Sequence, residues 1–182
     1  MRNKEYGMIY EDDGNVVGIC VVIPLNESGW KKLINGELAE SDTDEKTIFD
    51  NSRDKKIGLH IYPIEKLDVD IKEFHKTCLK DISKLIKRSK KSNDSLKVAG
   101  LSGLCVTKSG INLFKNKFNC TEREYIYKEN IYEKNSKLKV FEIKTESEMK
   151  KIEKEGYDLV NRCEMLVTYP YEKSIVWEII DL

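Results

Sequence analysis

Residues Ile57–Phe118 constrain the fold of this chain more than any other stretch, because they read in order as strand, helix, strand, helix. Ile57-Gly58-Leu59-His60-Ile61-Tyr62-Pro63-Ile64 is one strand and Leu96–Val106 is another. Between them Asp70–Arg88 is an amphipathic helix, with Ile71, Phe74, Cys78, Ile82 and Leu85 recurring at three and four residues to give one buried stripe. Asp70 and Glu73 form a capping box, in which each side chain satisfies an orphan amide of the first turn. The run Lys87-Arg88-Ser89-Lys90-Lys91 meets the negative end of the helix dipole, so structure accounts for it without a ligand. Thr107 caps the second helix, which carries Ile111, Phe114 and Phe118 on one face.

The flanking segments supply a mixed α and β remainder. Glu5–Glu11 and Asn15–Pro24 are strands joined through Asp12-Asp13-Gly14, a hairpin signal because the turn needs positive φ. Asn26 caps a short helix that buries Trp30, Leu33 and Ile34, and Gly36 stops it. Glu37–Lys56 has no period and many acidic side chains, and reads as a mobile surface loop. Strands are expected over Glu122–Tyr132 and Lys139–Lys144. Thr145 and Glu148 form a second capping box, before a helix bearing Met149 and Ile152 and closed by Gly156. The runs Leu159–Thr168 and Ser174–Ile180 read as an antiparallel hairpin or a neighbouring pair of strands, with Ile175, Trp177 and Ile179 on one buried face. The unit Lys139–Leu182 carries too much apolar surface to stay in water. It either completes the sheet of its own chain or makes a strand-mediated homodimer.

The 182 residues suffice for one domain with a real core. Lys and Arg (32) balance Asp and Glu (32), so no global field draws the chain to nucleic acid or to an anionic membrane. Cys20, Cys78, Cys105, Cys120 and Cys163 are odd in number and widely spaced, which suits reduced core residues and not a disulfide framework or a zinc site. No apolar run approaches a membrane span, and the polar start is not a signal peptide. A cytoplasmic location is expected.

The hairpin at Asp13-Gly14, the strand Ile57–Ile64, the helix from Asp70, the strand Leu96–Val106 and the helix Thr107–Phe118 together resemble the core of the GNAT superfamily of acyl-CoA N-acyltransferases. The likeness covers about residues 5 to 132, with 139 to 182 as a carboxyl-terminal βαββ extension of a single domain, 1 to 182. It implies an α/β fold with a mixed α+β sheet, acetyl-CoA as acyl donor, and an amine of a small molecule or protein as acceptor. In that family the first of two parallel strands bulges and splays from the second, and the pantetheine arm lies in the V between them. Ile61, Tyr62, Pro63 and Ile64 occupy that stretch here, and Pro63 suits a place where ladder pairing is broken. The resemblance also assigns cofactor contacts to Lys66, Lys72, Thr107 and Phe114. The family cradles pyrophosphate in a Gly-rich turn, where this chain has Glu65-Lys66-Leu67-Asp68-Val69-Asp70. Phe114 stands where many members carry a proton-donating tyrosine, and only four residues precede the first strand where the family has further elements. These departures carry the alternative, a non-catalytic interaction or regulatory protein on the same fold.

Individual residues have competing readings. His60 suits a general base beside the cofactor slot, or a core histidine bonded to a carbonyl. Glu65, at the strand's carboxyl end, is the better placed acid or base, acting directly or through a water; otherwise it is a solvated carboxylate. His75 is expected to be exposed. Gly100-Leu101-Ser102-Gly103 lacks the ending of a phosphate loop and suits a bulge or close backbone approach. Cys105 suits a small buried hydrophobe better than a nucleophile.

Overall fold

Asp13 and Gly14 both take positive φ, 46° and 79°, and their turn joins β1 (Gly7–Asp12) to β2 (Asn15–Asn26) as the sequence requires. The computed structural model describes residues 6–68, 71–123, 128–143, 145–162 and 164–180. Asn26 caps α1 (Glu27–Ile34) by accepting the Gly29 amide at 2.8 Å, and Trp30, Leu33 and Ile34 are buried. Gly36 follows in the left-handed region, as expected of a helix stop. Then come β3 (Lys56–Lys66), α2 (Phe74–Ser92) and β4 (Lys97–Cys105). Thr107 accepts the Gly110 amide and caps α3 (Lys108–Asn112), which widens into a π-helical turn over Leu113–Lys117. The rest comprises β5 (Thr121–Glu122), β6 (Lys128–Lys134), β7 (Lys137–Ile143), α4 (Glu146–Lys154), β8 (Asp158–Arg162), β9 (Glu164–Thr168) and α5 (Ile175–Ile180).

The fold is mixed α/β. A six-stranded sheet runs β1-β2-β3-β4-β9-β5, and within it only β3 and β4 pair in parallel among the described residues. Strand alternation sends Ile57, Leu59, Ile61 and Leu101 into one core with Cys78, Leu79 and Ile82 of α2 and Val176 and Ile180 of α5. The opposite face packs Leu25, Met165 and Val167 beneath Trp30, Leu33 and Ile34. A second sheet, β7-β6-β8, lies between β5 and β9 in the chain, with α4 capped by the expected Thr145/Glu148 box. Tyr132, Phe141 and Tyr157 pack edge to face there. The carboxyl-terminal unit therefore completes the sheet of its own chain, through β9. Cys20, Cys78, Cys105 and Cys120 are buried and outside any disulfide; Cys163 lies outside the described residues.

Several expectations are corrected. The helix starts at Phe74, not Asp70: Glu73 is its cap, left-handed at φ 53° and without a side-chain cap bond, because its carboxylate pairs with Lys76 instead. Asp70 lies outside the described residues. Ser174–Ile180 is not a strand, since Ser174 turns the chain by accepting the Val176 and Trp177 amides, and α5 buries Val176, Trp177 and Ile180 while Ile175 and Ile179 are half-buried. A short run that is apolar at all but one position fits a buried helix as well as a strand. Leu159–Thr168 is split between β8 and β9, which belong to different sheets. Glu37–Lys56 has little regular structure but is fastened at a 3-10 turn over Glu40–Asp42, a Leu25–Ile48 bridge and the buried Phe49. No helix of the described residues is long and apolar enough to cross a membrane.

Two outcomes follow from β9 and α5. A chain ending at Asn135 lacks the strand between β4 and β5, and should fail to give a dispersed NMR spectrum. Trp177, 9% exposed and donating from Nε1 to Thr168 Oγ1 at 3.1 Å, is a core residue. Trp177→Ala should cost about 3–5 kcal/mol in urea unfolding.

Candidate functional site

The parallel ladder between β3 and β4 runs from Lys56–Lys97 to Ile61–Gly103 and stops, although β3 continues to Lys66. On its other edge β3 pairs Ile61 with Val22 and Ile64 with Cys20, so Tyr62 and Pro63 together face Val21 as a bulge. The Tyr62–Pro63 peptide is cis. Beyond the bulge β3 leaves β4, and a cleft of about 1480 Å³ lies between the strand ends, the Glu37–Asp42 turn, the start of α2, and α3.

Ile61, Tyr62, Pro63, Ile64, Glu65 and Lys66 line the β3 wall of this cleft. Thr107 and Phe114 line the opposite wall, where the Phe114 ring rests against Gly103 so closely that a Cβ there would lie 2.5 Å from it. Lys72 is exposed and outside the lining. Glu65 is exposed, four residues past the last β3–β4 pair. His75 is not exposed as expected but half-buried, packing near Phe118 and lining the cleft; burial first, then nearby Lys76 and Lys117, lower its pKa. Its partner in the lining, Glu73, is held below the usual carboxylate range by Lys76.

His60 does not open into the cleft. It is fully buried, with Nδ1 2.9 Å from Ser102 Oγ and Nε2 2.5 Å from Glu40 Oε1. Ser102, also fully buried, accepts from Trp30 Nε1 at 2.9 Å. A carboxylate only accepts, so His60 Nε2 carries the proton that points to Glu40, and in that tautomer Nδ1 accepts the Ser102 hydroxyl proton. The order of serine, histidine and carboxylate is that of a nucleophile triad. Trp30 covers the serine, however, and only Glu40 reaches the cleft. Sequence reasoning placed Glu40 in a loop without a role and did not single out Ser102. One signal was available: Gly58-x-His60 and Gly100-x-Ser102 share a spacing, and parallel pairing puts both polar residues beside each other on one face.

The charged lining is lopsided: Glu37, Glu40, Asp42, Glu65 and Glu73 face Lys66 and His75. Among the described residues no cluster of three or more His, Cys, Asp or Glu side chains is placed to hold a metal ion. Removing Glu40 leaves the His60 Nε2 proton buried without an acceptor. Glu40→Ala should therefore cost about 1–3 kcal/mol in urea unfolding, unusual for a residue on a surface turn. No protein-family model matches this chain, and no curated protein matches it in sequence.

Proposed function

We propose that the cleft binds an acyl-CoA, acetyl-CoA in the simplest case, and that the chain is a GNAT-like N-acetyltransferase acting on an amine of a small molecule or protein. One observation carries this reading: β3 bulges against β2 at Tyr62–Pro63 where its parallel pairing with β4 ends, and a cleft lies beyond. That is the feature that the resemblance implies for the pantetheine arm. Ile61, Ile64, Leu104 and Phe114 offer apolar walls to such an arm. Amides of β3 beyond Ile61 no longer pair with β4, and suit polarisation of a thioester carbonyl.

The lining itself favours a second reading, a non-catalytic interaction or regulatory protein. Five carboxylates against one lysine oppose the phosphates of coenzyme A, and Phe114 has no proton for a departing thiolate. Acetyl-CoA separates the two. Isothermal titration should give heat, and ligand at a hundred times its Kd should stabilise the fold by ~2.7 kcal/mol and raise Tm. Neither heat nor a Tm change at millimolar acetyl-CoA or coenzyme A would remove the enzyme reading.

A further inference from the structure

We infer that the end of the molecule where β3 and β4 begin is a docking surface for double-stranded nucleic acid, gripped through its phosphates without reading of sequence. This surface lies at the amino end of β3, whereas the cleft opens at its carboxyl end, and the inference stands apart from the acyl-CoA reading. A groove of about 810 Å³ runs between α1 and the approach to β3, and its lining carries five lysine and arginine side chains against three carboxylates. Two of the carboxylates are already engaged: Glu27 accepts from Lys31 and Lys56, each at 2.9 Å, and Asp54 from Arg53 at 3.1 Å. Lys32 and Lys55 are exposed, and their ammonium groups meet no partner among the described residues. The balance of Lys and Arg with Asp and Glu over the whole chain therefore conceals a local excess, set against the acidic lining of the cleft.

Further lysines adjoin the groove. Lys97 is the ladder partner of Lys56 and its amide donates to the Lys55 carbonyl at 2.9 Å, so three lysines meet where the parallel pair starts. Asn93 Nδ2 donates to the Asp54 carbonyl at 2.9 Å and Asn51 Nδ2 to Ser92 Oγ at 2.7 Å, which ties the Arg53 loop to the end of α2 and to its Lys90 and Lys91. Asp50 and Asp94 stand in the same region, the first engaged by the Ser52 amide and hydroxyl. Cations so crowded repel one another, and a phosphate backbone laid across them relieves the repulsion as it sheds its own counterions. The lining also selects the occupant. All of it is polar or charged, with Asn26, Ser28 and Asn35 as the uncharged members. Unpaired bases would find no aromatic ring to stack on, and an amphipathic helix or a lipid surface no apolar seat. A duplex keeps its bases stacked and offers phosphates to cations and side-chain amides alike, the contacts that position without reading sequence.

The test follows the fluorescence anisotropy of labelled duplexes of about 20 base pairs, one DNA and one RNA, with the full chain at about 50 and 200 mM salt. Variants are K32A/K55A, K55E and K80E; all three lysines are exposed, and melting curves check that each variant folds. Lys80 stands near Glu73 at the cleft end, so K80E alters net charge as K55E does but away from the groove. The wild type should bind at micromolar concentrations, and log K should fall linearly with log salt, with a slope of about −3 to −5. K32A/K55A should flatten that slope by about 2, and K55E should weaken binding about 10-fold or more while K80E stays within about 2-fold of wild type. Binding of both duplexes, or of one, supports the inference, and a preference names the source of the phosphates. Equal weakening by K80E and K55E overturns it. So does tighter binding of a single strand of the same length, competition by polyglutamate as effective as by unlabelled duplex, or a preference of about tenfold among duplexes of unrelated sequence. No anisotropy change for either duplex at about 100 μM protein and the lower salt overturns it as well.

Discussion

The placement of Trp30 across Gly58 and Gly100 is the contact on which the rest of the structure depends. A Cβ at either glycine would come within 2.1 Å or 2.3 Å of the indole, so the ring occupies space that two bare backbones leave open. Seated there, the indole fixes α1 on the β3–β4 pair and brings its N–H to Ser102. Ser102, His60 and Glu40 continue from that bond as one line of contacts, which joins an aromatic ring in a helix to a carboxylate on a distant turn.

The two faces of the sheet solve different problems. On the α2 and α5 side apolar contacts dominate, with Ser83 bonded to the Ile180 carbonyl and Trp177 to Thr168 as separate buried ties. On the α1 side a line of polar groups crosses an otherwise apolar cluster. Such a line is tolerable only because each donor meets an acceptor; broken at one point, it leaves an unsatisfied group in a medium of low dielectric. The arrangement suits a place where geometry must be held more closely than packing alone would hold it.

What could be read from the sequence divides by range. The Asp13-Gly14 hairpin, the Asn26 and Thr145 caps, the Gly36 stop and the strand-helix-strand-helix core are local signals, written within a few residues, and the structure has them. The close approach expected at Gly100 and Gly103 is there too, against Trp30 and Phe114. The hydrogen bond from His60 to Glu40 joins residues 20 apart, and that from Ser102 to His60 residues 42 apart; no period announces either. α5 went unread because Ile175–Ile180 is apolar at nearly every position, and burial on several sides erases the alternation that separates helix from strand.

The insertion between β5 and β9 bears on how the nascent chain folds. β4 pairs with β9 through Leu101 and Thr168, so the interior of the main sheet waits for a strand that is synthesised after the whole β6-β7-α4-β8 segment. Until then the edge of β4 is an open template with apolar neighbours, the kind of surface that chaperones cover and that seeds association between unfinished chains. Closing so long a loop is slow in proportion to the entropy it must surrender. In the folded chain the β6–β7 hairpin and the Tyr132, Phe141 and Tyr157 cluster hold this long connection together between β5 and β9.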